Sequence, residues 1–156
     1  MPDTNGLWYL LVVNANTGIN GEISVALPHA SATDVAGNPH AAASGPAVTI
    51  DTQAPTLTIT SNKTVVGAGQ TATITFSFAN DDPVGFEWLN QQGDINLANG
   101  TLSNLSGSGR TYTATFTPSA GVANSLATLS VNAGSYTDAV GNPGVAAASP
   151  VLRVDT

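Results

Sequence analysis

The chain has 156 residues, of which only 8% are charged, and three Lys or Arg against ten Asp or Glu give a formal net charge of −7. An acidic chain of this kind excludes nucleic acid and anionic membrane surfaces as main partners, because phosphate binding needs a basic face, and no apolar run reaches the roughly 18 residues that cross a bilayer. The absence of cysteine removes disulfides and thiolate chemistry, while a hydrophobic fraction of 42% is sufficient for a folded core.

Alternation of apolar and polar residues predicts β-strands along the whole chain. Threonine and aromatic residues suit these strands, and Gly, Asn, Ser and Pro fill the gaps between them. No segment has the start and stop signals of a helix longer than about two turns. The predicted strands cover residues 7–13, 22–27 and 47–50, and then 56–60, 71–78, 84–89, 101–105, 111–117, 127–131 and 151–154, with a hairpin turn at 107–110. The last seven predict an all-β, immunoglobulin-like seven-strand sandwich.

The chain contains an internal repeat. Residues 33–39 read Thr-Asp-Val-Ala-Gly-Asn-Pro and residues 137–143 read Thr-Asp-Ala-Val-Gly-Asn-Pro, so that Asp34 and Asp138 stand 104 residues apart. The same offset carries Ile50-Asp51-Thr52 onto Val154-Asp155-Thr156 and aligns the apolar positions of the predicted strands. A shared motif, a shared final dipeptide and a shared register at one offset predict tandem repeats with a period of 104 residues.

This period divides the chain into two predicted domains. Residues 51–156 form a complete Ig-like repeat, and residues 1–50 form the C-terminal half, strands E–G, of a preceding repeat. Such a half has neither a closed core nor protected sheet edges of its own. Either an upstream half belongs to it, which is the simpler interpretation, or another chain supplies the missing strands. The first residues lack the features of a signal peptide, so we expect an exported protein to be longer than this chain.

Carboxylates gather at one predicted pole of the complete repeat. In an Ig-like sandwich the N-terminus, the B–C loop and the F–G loop lie at the same end. Asp51 lies in the linker before the first strand, Asp81 and Asp82 lie in the B–C loop, and Asp138 and Asn142 lie in the F–G loop. Four carboxylates at one pole repel one another unless a cation compensates their charge.

Calcium is the cation that these oxygens suit best. Ca²⁺ accepts six to eight oxygens from carboxylates, amides and backbone carbonyls in flexible geometry, whereas Mg²⁺ requires a stricter octahedron. The sequence therefore predicts Ca²⁺ at the junctions between repeats. The predicted ligands are Asp51, Asp81, Asp82, Asp138 and Asn142 at the central junction, Asp34 and Asn38 at a preceding one, and Asp155 at a following one.

The same motif has a purely structural interpretation. Asp-x-x-Gly-Asn-Pro is good turn chemistry, because Asp and Asn bond neighbouring amides and Gly tolerates positive φ. No EF-hand pattern is present in the sequence. The addition of Asp51 and of the Asp81–Asp82 pair is what favours calcium over a turn alone.

Catalytic chemistry has little support in the sequence. The complete repeat has no histidine, which removes a Ser-His-Asp triad, and His29 and His40 fall on non-histidine positions of the second copy. Asp81 and Asp82 are adjacent in a loop, where neighbouring side chains usually point apart, and this argues against a glycosidase pair. We therefore expect no enzyme.

Several segments resemble one family of domains. Asp51-Thr-Gln-Ala-Pro-Thr, residues 69–76, residues 100–109 and Tyr136-Thr-Asp-Ala-Val-Gly-Asn resemble the bacterial Ig-like (Big-type) tandem repeats of giant secreted adhesins of the RTX, type I-secreted kind. The period is similar to that of calcium-dependent extender repeats in such adhesins. The resemblance covers residues 51–156 densely and 1–50 more loosely, and implies calcium-stiffened spacers at the cell surface. Asp51, Asp138 and Asn142 match the family's linker and loop positions, whereas residues 80–98 depart from its pattern.

The sequence thus predicts a structural extender of an extracellular, cell-surface adhesin, with neighbouring repeats of the same chain as partners and a role in adhesion and biofilm formation. Two alternatives stay open. In the first, a face around Trp88, with Asn90, Gln91 and Gln92, binds a glycan or another surface ligand, although a tryptophan on the third strand of such a sandwich commonly belongs to the core. In the second, residues 1–50 complete a neighbouring subunit of a head-to-tail filament.

Overall fold

The computed structural model describes residues 11–149 and 151–156, and every regular element within them is a β-strand. The chain separates into two units, Met1–Thr52 and Gln53–Thr156. No helix in this described part is long and apolar enough to cross a membrane. The all-β architecture agrees with the fold class predicted from the sequence.

The first unit consists of two short antiparallel strand pairs among its described residues. Its strands are β1 (Asn20–Ile23), β2 (Ala26–Leu27), β3 (Ala43–Ser44) and β4 (Val48–Asp51). Strand β1 pairs with β4, and β2 pairs with β3. None of residues 11–52 is buried. The strand predicted at 7–13 falls mostly on residues 1–10, outside the described residues, and its last three positions are not in a strand.

The second unit is a β-sandwich built from two layers. Its strands are β5 (Thr56–Ser61), β6 (Val65–Gly67), β7 (Ala72–Ala79), β8 (Trp88–Leu89), β9 (Gln92–Gly93), β10 (Ile95–Leu97), β11 (Gly100–Ser108), β12 (Thr111–Pro118), β13 (Ser125–Ala127), β14 (Leu129–Val131), β15 (Ala147–Ala148) and β16 (Leu152–Asp155). One layer is a four-stranded antiparallel sheet in the order β11-β12-β7-β5. The other consists of two three-stranded sheets, β10-β14-β15 and β13-β16-β6, in which β6 runs parallel to β16.

The core of the second unit follows from alternation along the strands. In β7 the side chains of Ala72, Ile74, Phe76 and Phe78 are buried, while the threonines and serine between them face outward or lie at intermediate depth. Phe78 also lies at the centre of a set of aromatic contacts with ring centroids 5.0–6.0 Å apart. Edge-to-face contacts of this kind add stability beyond the buried area. The partners of Phe78 in this set are Phe86, Tyr112 and Tyr136.

The third strand is not where the sequence predicted it. Residues 84–89 contribute one isolated bridge at Val84 and then the β8–β9 hairpin, which reverses at Asn90 and Gln91, both with positive φ. The strand that joins the second layer is β10, which pairs with β14. A two-residue turn with positive φ at both positions is typical of a tight hairpin, and this turn separates the apolar run at 84–89 from the sheet.

Replacement of Phe76 by Ala tests the assignment of the core. Phe76 is fully buried, so we expect Phe76→Ala to lower the free energy of unfolding by about 3–5 kcal/mol. Leu89→Ala is the control, because Leu89 is 71% exposed and its loss costs at most about 0.5 kcal/mol. Urea unfolding followed by circular dichroism measures both variants, and equal losses would contradict the assignment.

Candidate metal site

Tyr136 fixes one pole of the second unit. Its hydroxyl donates to the carbonyl of Val145 at 2.9 Å and lies 3.4 Å from the carbonyl of Pro55, while the Val145 N–H donates to the same Pro55 carbonyl at 3.0 Å. Burial raises the pKa of Tyr136, and the hydrogen bond with Val145 offsets part of this rise. Gly144 is required beneath the ring, since a Cβ there would lie 2.3 Å from ring atoms. The segment that leads into β5 is thereby tied to the F–G loop.

The B–C loop is tied to the same pole. Asn80, in a left-handed conformation with φ of 75°, donates from Nδ2 to the carbonyl of Ala54 at 3.0 Å. Val84 and Thr137 exchange backbone hydrogen bonds of 2.7 and 3.1 Å. Because the loop is held on both sides, the carboxylate between these anchors, Asp81, is brought against the F–G loop.

Asp138 is the polar centre of the F–G loop. It is only 3% exposed and accepts hydrogen bonds from the N–H groups of Val140 and Asn142 at 3.0 and 2.8 Å and from Asn142 Nδ2 at 2.7 Å. The turn closes through Gly141, whose φ of 95° an L side chain rarely adopts. Burial by itself raises the pKa of Asp138, but the bonds from Asn142, Val140 and Gly141 outweigh it and hold the pKa below its ordinary value.

The carboxylates of Asp81 and Asp138 lie close together. One carboxylate oxygen of each lies within 4.8 Å of the other, and Oδ2 of Asp81 is buried with no hydrogen-bond partner among the described residues. Burial of an unpartnered carboxylate oxygen is costly, and two like charges this close to each other repel. The two carboxylates are close enough for one cation to be shared between them.

The tied loops and this pole lie within residues 51–154, the range matched by the family model for the bacterial Ig-like domain. The chain belongs to the bacterial Ig-like domain family. No curated protein and no solved structure matches it significantly. Membership in this family fits a structural module, and domains of the family are typically non-enzymatic.

Asp82 of this bacterial Ig-like domain has a different environment from Asp81. Its Oδ1 accepts a hydrogen bond of 3.1 Å from Arg110 Nε, which makes the two side chains an ion pair. Arg110 Nη2 also donates to the Asn80 carbonyl at 2.8 Å. Both side chains are more than half exposed, so the pair contributes little stability. The guanidinium clamps the B–C loop from outside, a role that the sequence did not suggest for either residue.

The other predicted ligands are distributed along the chain. Asp51 ends β4 in the first unit, and Asp155 ends β16. Asp34 and Asn38 repeat the hydrogen bonds of Asp138 and Asn142, with Asn38 N and Nδ2 both 2.9 Å from Asp34. The bond from the Asn38 side chain is the main reason that the pKa of Asp34 is lowered. Asp34 and Asn38 are exposed to solvent, whereas Asp138 is buried.

The donors of the second unit fit a hard cation. Asp81 and Asp138 offer carboxylate oxygens, and the Asn142 side chain donates from Nδ2 to Asp138 and so helps to orient that carboxylate. An all-oxygen set without nitrogen or sulfur is typical of calcium. The buried, unpartnered oxygen of Asp81 is the observation that separates this set from ordinary turn chemistry.

The sequence analysis singled out the face around Trp88 but not Glu87 and Asp94, which lie beside it. The Glu87 N–H donates to Asp94 Oδ2 at 2.7 Å. Burial raises the pKa of Asp94, and the negative charge of Glu87 raises it further, whereas the hydrogen bond from the Glu87 N–H lowers it in part.

Two open clefts of about 540 and 360 Å³ meet at Trp88. Residues lining the larger cleft include Trp88, Gln92, Asn96 and Thr101.

The lowered pKa of Asp138 predicts a pH dependence that we expect in EDTA. The unfolded state binds more protons than the native state between the folded pKa and about 3.9, so stability rises with pH across this window and is lost as the pH falls through it. Asp138→Asn removes this contribution. The variant is less stable at pH 7 because its charge-assisted hydrogen bonds are lost, a cost of about 1–3 kcal/mol that the relief of repulsion from Asp81 offsets only in part. Its acid-induced loss of stability is smaller. Urea unfolding at several pH values measures both effects, and parallel pH profiles would contradict them.

Proposed function

We propose that this domain is a structural extender of a bacterial cell-surface adhesin and that Ca²⁺ stiffens its junction with the preceding repeat. The proposal rests on the buried, unpartnered oxygen of Asp81 beside the buried carboxylate of Asp138. Bacterial Ig-like domains are often extracellular, where calcium is available at the 10⁻⁴–10⁻³ M that extracellular modules require. The partners in this proposal are neighbouring repeats of the same chain.

Asp51 completes the proposed site through the linker. It stands three residues before Ala54, whose carbonyl is bound by the Asn80 side chain of the B–C loop. Three residues span at most about 11 Å even when fully extended, so the linker between Asp51 and Ala54 is short. A cation that binds Asp51 together with Asp81 and Asp138 restrains the linker, and a ligand that prefers the restrained joint shifts the population toward a straight rod.

The energy available from one site is modest. At about ten times its dissociation constant, a ligand that binds only the folded state adds about 1.4 kcal/mol. A long array therefore needs calcium at several junctions to behave as a rod. Asp34 with Asn38, and Asp155, are the residues that we propose for the preceding and following junctions.

Calcium is expected to raise the melting temperature of the domain, and Asp81→Asn is expected to abolish this response. A gain of about 1.4 kcal/mol corresponds to about 5–10 °C for a domain of this size. In EDTA the variant should be at least as stable as the parent, because it loses the like-charge repulsion with Asp138. Thermal unfolding with calcium and with EDTA, followed by circular dichroism, measures both effects.

Asp82→Asn is the matched control for this experiment. Asp82 is adjacent to Asp81 and carries the same charge, but it is exposed and paired with Arg110. If calcium binds as proposed, the control keeps the calcium response. A calcium response that is lost equally in both variants would indicate diffuse screening of negative charge, and an unchanged melting temperature in the parent would remove calcium from the account.

Glycan binding at Trp88 is a second candidate function, favoured by the two clefts that meet at this side chain. Trp88 is half-buried against the core, with its Nε1 3.4 Å from the Leu102 carbonyl. Gln91 is held by Leu102, since its amide bonds both the N–H and the carbonyl of that residue. The exposed side chains of Gln92, Asn96 and Thr101 are uncharged polar groups that line the larger cleft beside the indole.

Titration with neutral oligosaccharides tests this second candidate. Fragments of glucan, mannan and xylan are added to a Trp8→Phe background, so that the tryptophan emission comes from Trp88 alone. Binding is expected to shift the emission, and Gln92→Ala to weaken binding about fivefold through the loss of one hydrogen bond. Gln70→Ala is the control, because Gln70 lines neither cleft. Unchanged emission with all three sugars would rule out the cleft as a site for these glycans.

A further inference from the structure

Strand β11 forms one edge of the four-stranded sheet in the second unit. It pairs with β12 on one side, and no other strand of the described residues pairs with its opposite side. An unpaired edge presents backbone N–H and carbonyl groups to which another chain can add a strand. Proteins commonly protect such edges with charged residues, proline or bulges, but the nine residues of β11 include no charged residue and no proline.

A bulge protects only the second half of β11. The pairing with β12 shifts register between Ser103 and Ser106, and Asn104 within this interval has a φ of 56°. A bulge bends the strand and interrupts regular pairing. Residues 100–103, in contrast, pair with β12 in an uninterrupted register. The first half of the strand therefore has a regular backbone that another strand could extend.

The side chain of Gln91 covers this regular half of the edge. Leu102 directs both of its backbone polar groups away from β12: its N–H donates to Gln91 Oε1 at 3.1 Å, and its carbonyl accepts a hydrogen bond from Gln91 Nε2. A carboxamide carries the same donor and acceptor groups as a peptide bond. Gln91 thus makes the two hydrogen bonds that a residue opposite Leu102 in an added antiparallel strand would make.

The backbone of Gln91 is unfavourable for a long side chain. Gln91 has a φ of 63° and follows Asn90, which has a φ of 52°, in the turn between β8 and β9. Hairpin turns with positive φ at both positions strongly prefer Asn-Gly, because side chains other than that of Asn are uncommon in this conformation. Glycine would suit the turn but has no side chain to reach Leu102. The two hydrogen bonds with Leu102 are what a glutamine contributes at this position.

Open space lies along β11 on both sides of Gln91. The larger cleft extends to Gly100 and Thr101, the smaller cleft extends to residues 103–105, and Gln91 lines both of them. An extended backbone that followed the edge of β11 would pass through the two clefts and through the present position of the Gln91 carboxamide. This side chain is therefore the group that has to leave before a strand can be added.

We propose that the outer edge of β11 is a strand-addition surface for the β11 strand of a second copy of this chain, and that the carboxamide of Gln91 keeps this surface closed. Two β11 strands related by a twofold axis run antiparallel, with Leu102 opposite Leu102. Each Leu102 then makes with its counterpart the hydrogen bonds that it now makes with Gln91. Neither strand carries a charge that would oppose this pairing. Gln91 in this way keeps copies of the chain separate at high local concentration.

Replacement of Gln91 by Gly in the full chain tests the proposal, since glycine adopts the positive φ of this turn readily. In dilute solution we expect the Leu102 amide of the variant to exchange with solvent at least about tenfold faster than that of the parent, because it loses its acceptor. In about 0.15 M salt, which screens the net charge, the variant should form dimers as its concentration rises. The Leu102 amide should then become protected again. Analytical ultracentrifugation and hydrogen exchange measure the two effects against the parent.

Two further variants show whether the dimer forms through this edge. Asn90→Gly is the matched control, because it makes the same change at the adjacent turn position and leaves the Gln91 carboxamide in place; it should behave as the parent does. Gln91→Gly combined with Ser103→Lys adds like charges to the exposed side of both β11 strands. This double variant should remain monomeric while its Leu102 amide exchanges rapidly.

Three results would overturn the proposal. The first is an unchanged exchange rate of the Leu102 amide in Gln91→Gly, which would mean that Gln91 does not close the edge. The second is a dimer that persists with Ser103→Lys, which would place the interface elsewhere. The third is a Gln91→Gly chain that stays monomeric at every concentration. If this monomer binds a synthetic peptide of residues 111–117, the strand that pairs with the inner side of β11, the occupant is a different segment.

Discussion

The crowding of Asp81 against Asp138 is the constraint on which the account of this domain depends. Asp138 is held by the side chain of Asn142 and by the backbone amides of Val140 and Asn142. The backbone that carries Asp81 is held on both sides, because Asn80 is anchored at Ala54 and Val84 at Thr137. The fold therefore maintains a local concentration of negative charge that water does not fully solvate. Under the proposed function, a divalent cation would relieve this electrostatic cost only while the loops hold their native positions, and this would couple cation binding to the rigidity of the pole.

Comparison of the two copies of the Asp-x-x-Gly-Asn-Pro turn shows which features come from the turn itself and which come from its surroundings. Asp34 and Asn38 reproduce the hydrogen bonds of Asp138 and Asn142, although the first unit has no buried residue among those described. The turn is therefore encoded locally and does not need a core. Only in the second unit do Tyr136 and the B–C loop add burial and a neighbouring carboxylate. Turn chemistry alone accounts for the repeated motif, and the environment of Asp81 accounts for the candidate site.

Local periodicity was sufficient to predict most of the fold. Residues 71–78 and 111–117 alternate so regularly that their strands and buried faces follow directly from the sequence. The third strand was misplaced because the apolar residues Phe86 and Trp88 look like a strand. In the structure, positive φ at Asn90 and Gln91 places Trp88 in the β8–β9 hairpin, and Phe86 lies in the loop before it. The short run of β10 is a strand only through its pairing with β14. At the pole, the sequence indicated the right loops, but it did not distinguish Asp81 from Asp82, because Arg110 is 28 residues away in sequence and only the fold brings it to Asp82.

The central claim concerns where a cation binds, and anomalous diffraction from crystals grown with calcium tests it most directly. The account predicts an anomalous peak between Asp81 and Asp138, with oxygens of both carboxylates at 2.3–2.6 Å from the ion, the usual range for calcium, and with Asp81 Oδ2 among them. An ordered water bonded to Asp81 Oδ2, with no anomalous peak at millimolar calcium, would contradict it.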